Sequence, residues 1–165
     1  MNVLSTENNL EVDGVQRSWT LPSLPIQATF YTSHLQITRI QLSLAEQFCC
    51  VIHGSGLESK IFEWMTAYSK REKGPLLPLL FNSFTPFMRK GLRAIQALEI
   101  GEVASYGEIA ARAGCSKGAR AIGNVCNKNP YPLVIPCHRV IQGNGSIGGF
   151  AYNLELKKAL LSYES

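Results

Sequence analysis

The sequence contains no hydrophobic run long enough to cross a membrane. Its longest apolar stretch, residues 75–81, includes two prolines, whereas a membrane-spanning helix needs about twenty apolar residues. The first residues, MNVLSTE, contain neither a basic residue nor an apolar stretch, so we expect no secretion signal and no membrane association. Only 17% of the 165 residues are charged and 45% are hydrophobic, which is typical of a soluble globular protein and excludes a disordered one.

The cysteines lack the spacing of a metal site. Cys49 and Cys50 are adjacent, and neither His34 nor His53 completes a Cys-x-x-Cys pattern, so we predict no metal and no cofactor. Five is also an odd number, in a chain too large to be a disulfide scaffold. We therefore expect free thiols and a cytoplasmic location, with the cysteines other than Cys137 mostly in structural roles.

Positive charge is concentrated in one half of the chain. Residues 1–78 carry six Lys or Arg and seven acids, for a net charge of −1, whereas residues 79–165 carry ten and five, for +5. A basic half favours a polyanionic partner such as nucleic acid, although lysines scattered over an ordinary soluble surface would give the same total.

Residues 1–78 are predicted to form a small α/β domain. The first dozen residues are polar and are expected to fray. Alternating apolar residues predict strands between residues 27 and 54. A helix is predicted over residues 59–73, with four residues spaced to face the core: Ile61, Phe62, Met65 and Tyr68. The proline- and leucine-rich residues 76–82 are the predicted linker.

The C-terminal half, residues 79–165, is predicted to be mainly helical. Thr85-Pro86 indicates the start of a first helix, because threonine caps well and proline suits the first helical position. Ser105-Tyr106-Gly107-Glu108 is a capping box for a second helix that ends at Gly114. Ser116 is expected to cap a third helix over residues 117–127. Two short helices joined by a tight turn form a helix-turn-helix pattern.

The predicted third helix has two contrasting faces. A core stripe consists of Ile122, Val125 and Cys126, while Arg120, Asn124 and Asn127 lie on another face. Very small residues surround the arginine: Gly118, Ala119, Ala121 and Gly123. Such a face permits the close approach of a partner from which one arginine projects. A close contact between helices, with a solvated arginine, would explain the same composition.

A Cys-His pair is the strongest chemical signal. An apolar strand is predicted over residues 133–135, followed by Pro136, Cys137 and His138 and then by the glycine-rich loop, residues 143–149. A thiol becomes a strong nucleophile once an imidazole has taken its proton. Neighbours on a strand point to opposite faces, so a bend or a bridging water would have to connect the pair. Glu164 is a candidate to orient the imidazole. The alternative is a buried cysteine beside a helix-capping histidine.

Several motifs occur in the order typical of one protein family. They are Gly101-Glu102-Val103-Ala104-Ser105-Tyr106, Ala119-Arg120-Ala121-Ile122-Gly123, Asn129-Pro130, Pro136-Cys137-His138-Arg139-Val140 and Lys157-x-x-Leu160-Leu161-x-x-Glu164. In this order and spacing they resemble the O6-alkylguanine-DNA alkyltransferases, over about half of the chain. The resemblance implies a ribonuclease-H-like N-terminal domain and a winged helix-turn-helix C-terminal domain.

The resemblance also implies a role for each matching residue. Cys137 is similar to the alkyl acceptor, His138 and Glu164 to the groups that deprotonate it, and Asn129 to the asparagine that ties the recognition helix to the active-site turn. The implied substrate-binding residues are Tyr106, Val140, Lys157, Phe150 and Ala151. Arg120 matches an arginine that enters the base stack, with Ala119, Ala121, Gly123 and Asn124 beside it in the minor groove. Arg93, Lys117 and Lys128 are predicted to contact phosphates.

The implied function is the repair of alkylated DNA. The family flips the damaged nucleotide of double-stranded DNA and moves a methyl or small alkyl group from O6-alkylguanine, and also from O4-alkylthymine, to its own cysteine. The resemblance thus implies a single-turnover enzyme that acts as a monomer and is not sequence-specific.

Departures from the family pattern lie after the glycine-rich loop. Phe150 and Ala151 stand where relatives often carry a tyrosine and a polar or basic residue, and Asn153 stands where glycine is common. Asparagine suits a left-handed backbone or a helix cap, so we expect the fold to tolerate it. Two rival functions are a non-catalytic lesion-binding protein, whose relatives replace the cysteine, and a regulator that senses alkylation.

Overall fold

The computed structural model describes residues 14–21 and 23–165 and divides into two compact units between Leu80 and Phe81. The sequence suggests a boundary two residues earlier, after residue 78. The predicted fraying of the first dozen residues lies outside the described residues. In the described ranges we find no helix with the length and apolar character needed to span a bilayer.

The N-terminal unit contains a four-stranded mixed sheet and one helix. Its strands are β1 (Val15–Trp19), β2 (Ile26–Ser33), β3 (Gln36–Leu44) and β4 (Phe48–His53), and its helix is α1 (Glu58–Ser69). The spatial order is β1-β4-β2-β3, in which β2 and β4 are parallel and the outer pairs are antiparallel. The predicted alternation is found in β3, where Ile40 and Leu42 are buried and Gln41 and Ser43 are exposed.

Two N-terminal predictions need correction. Strand β1 was not predicted, because its five residues alternate too weakly to stand out without their partner β4. Helix α1 ends at Ser69 and not at residue 73, because Arg71 adopts a left-handed conformation (φ 58°) that interrupts the helix. The predicted core residues of α1 are nevertheless all buried, as expected.

The predicted linker, residues 76–82, is partly integrated into the N-terminal unit. The Ile37 N–H donates to the carbonyl of Pro78, and the Leu80 N–H donates to the carbonyl of Ile37. Leu77 is buried. These hydrogen bonds cover part of the outer edge of β3. Most of the segment is therefore part of the folded N-terminal unit and not a free linker.

The C-terminal unit is mainly helical. Its elements are α2 (Pro86–Gln96), β5 (Ala104–Ser105), α3 (Tyr106–Arg112), α4 (Ala119–Asn127), a 3₁₀ turn (Cys137–Arg139), β6 (Val140–Ile141) and α5 (Leu154–Glu164). With the mixed sheet of the first unit, this confirms the general α/β class.

The predicted helix starts are correct for α2 and α3 but wrong for α4. The Thr85 side chain accepts from the Met88 N–H, and both bonds of the Ser105–Glu108 capping box are present. Helix α4 is capped by Gly118 and not by Ser116. The Gly118 N–H donates to the Cys115 carbonyl, which makes the turn tighter and delays the helix until Ala119.

Residues 133–135 form a turn and not the predicted strand. Leu133 has a left-handed backbone (φ 73°), and the Ile135 N–H donates to the Tyr131 carbonyl. All residues from 131 to 140 are buried, which explains why this apolar run reads as a strand. Asn153 caps α5 through its side chain, with an ordinary backbone (φ −73°), so it replaces glycine without a left-handed conformation.

Candidate functional site

Cys137 begins the 3₁₀ turn Cys137–Arg139, which we call the Cys-His turn. The thiol is only 3% exposed, and the Cys137 N–H donates to the Ile135 carbonyl. Burial raises the pKa of the Cys137 thiol, while the Asn129 side chain and the Lys157 charge act in the opposite direction. A neutral thiol is therefore the resting state, and nucleophilic chemistry needs a base. Since the residues lie in a turn, the opposite-face geometry of a strand does not apply.

The next two residues of the turn bind one carboxylate. Nε2 of His138 lies 2.8 Å from Oε1 of Glu164. Arg139 donates to Oε2 through Nε at 2.7 Å and to Oε1 through Nη2 at 2.9 Å, and its Nη1 donates to the Leu98 carbonyl. Arg139 is a site residue that the sequence analysis did not single out. The sequence did contain a signal for it. An arginine within a largely apolar segment is expected to be buried, and a buried arginine must find a partner.

The protonation state of this cluster follows from its partners. Hydrogen bonds from His138 and Arg139 lower the pKa of Glu164 to about 2, against the effect of burial. Burial lowers the pKa of His138, although Glu164 opposes this. The imidazole is therefore neutral and donates its Nε2–H to the carboxylate, which leaves a lone pair on Nδ1. Nδ1 is buried and has no hydrogen-bond partner within residues 14–21 and 23–165.

Asn129 connects the exit of α4 to the Cys-His turn. Its Nδ2 donates to the Ile135 carbonyl at 2.9 Å, and its Oδ1 accepts from the Tyr131 N–H at 2.9 Å. The residue is buried, and its side chain also interacts with the Cys137 thiol. Since an amide has both donors and an acceptor, one side chain can hold the segment that precedes the thiol.

Lys157 of α5 is fully buried and contacts the end of the turn. Its Nζ donates to the Val140 carbonyl at 2.7 Å and to the Gly149 carbonyl at 3.0 Å. The ammonium also lies 6.0 Å from the ring centre of Phe150. Phe150 is half-buried and packs on Tyr152, whereas Ala151 is exposed.

Tyr106 reaches this region because β5 and β6 pair. Ala104 and Ser105 align in parallel with Val140 and Ile141, so the first residue of α3 follows directly. Burial and the nearby thiols of Cys126 and Cys137 raise the pKa of the half-buried Tyr106. Its ring faces the glycine-rich loop, where a Cβ on Gly148 would lie 3.6 Å from the phenol oxygen. Tyr106, Cys137, Val140 and Lys157 thus lie in one region.

The charged residues predicted to contact nucleic acid are exposed. Arg120 and Asn124 are exposed on α4, with Ala119, Ala121 and Gly123 half-buried beside them. A Cβ on Gly123 would contact nothing within 4 Å. Lys117, Lys128 and Arg93 are exposed too, and the Arg93 guanidinium lies 5.5 Å from the Phe81 ring centre. The core stripe of α4 is buried as expected.

The other four cysteines differ in their exposure to solvent. All five are free, with Cys115 exposed in the turn before α4 and Cys49, Cys50 and Cys126 buried. Burial raises the pKa values of Cys50 and Cys126 to about 12, so these thiols are unreactive at neutral pH. Among the residues that the structure describes, no group of three His, Cys, Asp or Glu side chains could hold a metal.

Comparison with known proteins finds a similarity that covers the C-terminal half. Residues 86–165 match the family model described as 6-O-methylguanine DNA methyltransferase, DNA binding domain. Through this half, the chain is similar to the O6-alkylguanine-DNA alkyltransferases. A methylated-DNA–protein-cysteine methyltransferase of Methanosarcina acetivorans is 41% identical over 80 residues, which are 48% of this chain and 51% of that protein. The human protein of the same name is 37% identical over 108 residues, 61% of this chain and 52% of its own length.

The alkyltransferase similarity extends beyond the matched domain in three dimensions. The chain spans about half the length of the curated relatives that it matches. A crystal structure of Mycobacterium tuberculosis OGT in complex with DNA superposes with a TM-score of 0.66 at 28% identity, covering 84% of this chain and 91% of that one. The alkyltransferase fold therefore includes most of the N-terminal unit.

Proposed function

We propose that this protein is an alkyltransferase that repairs DNA by moving a methyl or small alkyl group from O6 of guanine, and from O4 of thymine, to Cys137. One observation carries the proposal. A buried thiol begins a turn whose next two residues are both bonded to the single ionised carboxylate of Glu164. This arrangement supplies a nucleophile, a neutral base and a fixed orientation for that base.

The reaction begins with removal of the thiol proton. Because Nε2 of His138 is occupied by Glu164, Nδ1 is the free basic atom, and a bridging water would carry the proton from Cys137 to it. The thiolate sulfur then attacks the alkyl carbon in line with the C–O6 bond. The S–C bond forms as the C–O6 bond breaks, and the bonding electrons leave with guanine, which is reprotonated by the proton held at His138. The thioether is inert, so each molecule reacts once.

The alkyl carbon lies within the duplex, so the nucleotide must be flipped out. Exposed Arg120, with small residues around it, suits insertion into the stack from the minor groove, which offsets part of the few kcal/mol that flipping costs. Tyr106, Val140 and Phe150 would line the base pocket, with Ala151 at its rim. Lys117, Lys128 and Arg93 would bind phosphates without reading sequence.

The finer architecture and the setting belong to the same proposal. We interpret α3 and α4 as a helix-turn-helix, the β5–β6 pair with the glycine-rich loop as its wing, and the N-terminal unit as ribonuclease-H-like. The protein would act as a monomer in the cytoplasm, where its five free thiols stay reduced.

Incubation with a duplex that contains O6-methylguanine tests the function directly. We expect one methyl group per molecule, located on Cys137 by peptide mass spectrometry. Cys137→Ser should abolish transfer while duplex affinity stays nearly unchanged, because a serine hydroxyl is far less acidic than a thiol. Cys126→Ser is the matched control and should still accept a methyl group. Tight binding to the lesion without any adduct would favour the non-catalytic lesion-binding protein instead.

A further inference from the structure

Lys157 is a fully buried lysine that the mechanism above does not use. It lies in the first half of α5, and its Nζ donates two hydrogen bonds to backbone carbonyls, of Val140 and Gly149. Buried lysines are rare unless they are paired, because taking an ammonium out of water is costly. In the described residues no carboxylate lies within ion-pair distance of Nζ, so a structural salt bridge does not explain its position.

The two carbonyls belong to different segments of the site. Val140 ends the Cys-His turn, since its N–H donates to the Cys137 carbonyl. Gly149 ends the glycine-rich loop, whose Gly148 packs against Tyr106. One ammonium therefore bridges the segment that holds the thiol and the loop that covers Tyr106.

The ionisable groups around Lys157 are mostly thiols and a phenol, which are uncharged when protonated, and not carboxylates. Those that face it are Cys126 on α4 and Cys137 and His138 in the Cys-His turn, with Tyr106 on α3 beside the two thiols. Glu164, on the same helix, is already occupied by His138 and Arg139. The positive charge of Lys157 lowers the pKa values of Cys137 and of His138, and a thiolate would in turn stabilise the ammonium.

We propose that Lys157 is a positioning residue, which joins the glycine-rich loop to the Cys-His turn and keeps a positive charge beside the thiol that becomes a thiolate. This role deepens the proposed function, on which it rests for the identity of Cys137 as alkyl acceptor. It is separate from the substrate contact that the resemblance implies, because two of the three N–H donors of Nζ go to the protein backbone.

The pH dependence of Cys137 alkylation by iodoacetamide tests the charge. The adduct is measured by peptide mass spectrometry, so no DNA repair activity is needed. In Lys157→Met, which is uncharged and of similar length, the midpoint should rise by about one pH unit or more, as expected when an opposite charge is removed. Transfer from O6-methylguanine duplex at pH 7 should fall about tenfold and recover as the pH is raised.

Lys158→Met is the matched control, because Lys158 is the next residue of α5 and is exposed beside Glu155. It should leave the midpoint and the transfer rate unchanged. Lys157→Arg keeps the charge, so its midpoint should stay within a few tenths of a unit of wild type even if its bulkier head weakens the loop contact. Hydrogen exchange of residues 143–149 should accelerate in Lys157→Met and not in Lys158→Met.

The outcomes separate this inference from the function. An unchanged midpoint in folded Lys157→Met would overturn the charge role. If the Met variant does not fold, a rise of about one pH unit or more in Lys157→Arg would overturn it. Unaltered hydrogen exchange of the loop would overturn the bridging role. If wild type accepts no methyl group from DNA but the midpoint still shifts, the proposed function fails while the effect of Lys157 on the thiol stands.

Discussion

Nε2 of His138 lies 2.8 Å from Oε1 of Glu164, although 26 positions separate the two residues. This contact brings the last residue of α5 to the Cys-His turn and fixes which nitrogen of the imidazole can act as a base. Arg139 completes the arrangement by holding both carboxylate oxygens. The C-terminal end of α5 is therefore part of the site.

Removing the base should slow alkyl transfer in a way that pH can repair. His138→Ala is expected to lose about a hundredfold in transfer rate, a typical contribution of a general base, with little change in duplex affinity. Because the variant still has Cys137, raising the pH should form thiolate without assistance and recover part of the rate. Single-turnover kinetics from pH 6 to pH 10 would measure this. No recovery at high pH would mean that His138 has another role.

Acid should destabilise the protein through the same cluster. The pKa of Glu164 is lowered from 4.5 to about 2, so its stabilising effect is present above pH 4.5 and is lost as the pH falls towards 2. The lowered pKa of His138 acts in the same direction from about pH 6.5 downwards, because protons bind the unfolded chain more readily. Urea unfolding at several pH values should show a loss on the order of 3 kcal/mol attributable to Glu164.

Glu164→Gln provides the check on that assignment. It should be less stable than wild type at pH 7, since Arg139 loses its buried countercharge, and its stability should vary less between pH 4.5 and pH 2. Glu102→Gln, which breaks the exposed pair with Arg112, is the control and should nearly keep the wild-type pH dependence. A wild-type slope in Glu164→Gln would contradict the assignment.

Asn129→Ala should damage stability and thiol chemistry together. The change leaves the Ile135 carbonyl and the Tyr131 N–H without their side-chain partner in a buried region, at a cost of about 2–4 kcal/mol. It also removes an interaction that lowers the pKa of Cys137, so the alkylation midpoint should rise. Asn127→Ala, at an exposed position two residues earlier, should change neither quantity. Equal losses in both variants would point to a general weakening of α4.

Arg120→Ala distinguishes base flipping from thiol chemistry. The variant should lose duplex affinity and duplex repair rate, because nothing fills the gap in the stack and the base returns more easily. Reaction with free O6-methylguanine needs no flipping and should be almost unchanged. Lys158→Ala also removes one exposed positive charge from the C-terminal unit and should leave duplex repair near wild type. An equal loss on duplex and on free base would show that Arg120 supports the fold or the pocket.

Local sequence signals determined the parts of this protein that depend on near neighbours. The Thr85 cap, the Ser105–Glu108 capping box and the buried stripe of α4 were all predictable, because each involves residues three or four positions apart. The motifs from Gly101 to Glu164 indicated the resemblance to the alkyltransferases for a similar reason, because their order and spacing can be read directly from the sequence.

Long-range contacts were decided by the tertiary structure alone. Residues 133–135 read as a strand because a fully buried apolar run looks the same in either conformation, and only the left-handed Leu133 and the packing around it make a turn. Strand β1 exists because β4 is beside it. The sequence shows that Arg139 and Lys157 are present but not what they bind. Arg139 binds Glu164, and Lys157 binds the Val140 and Gly149 carbonyls, because of where α5 packs. A buried charge must be satisfied by whatever the fold brings near it, and that information is not local.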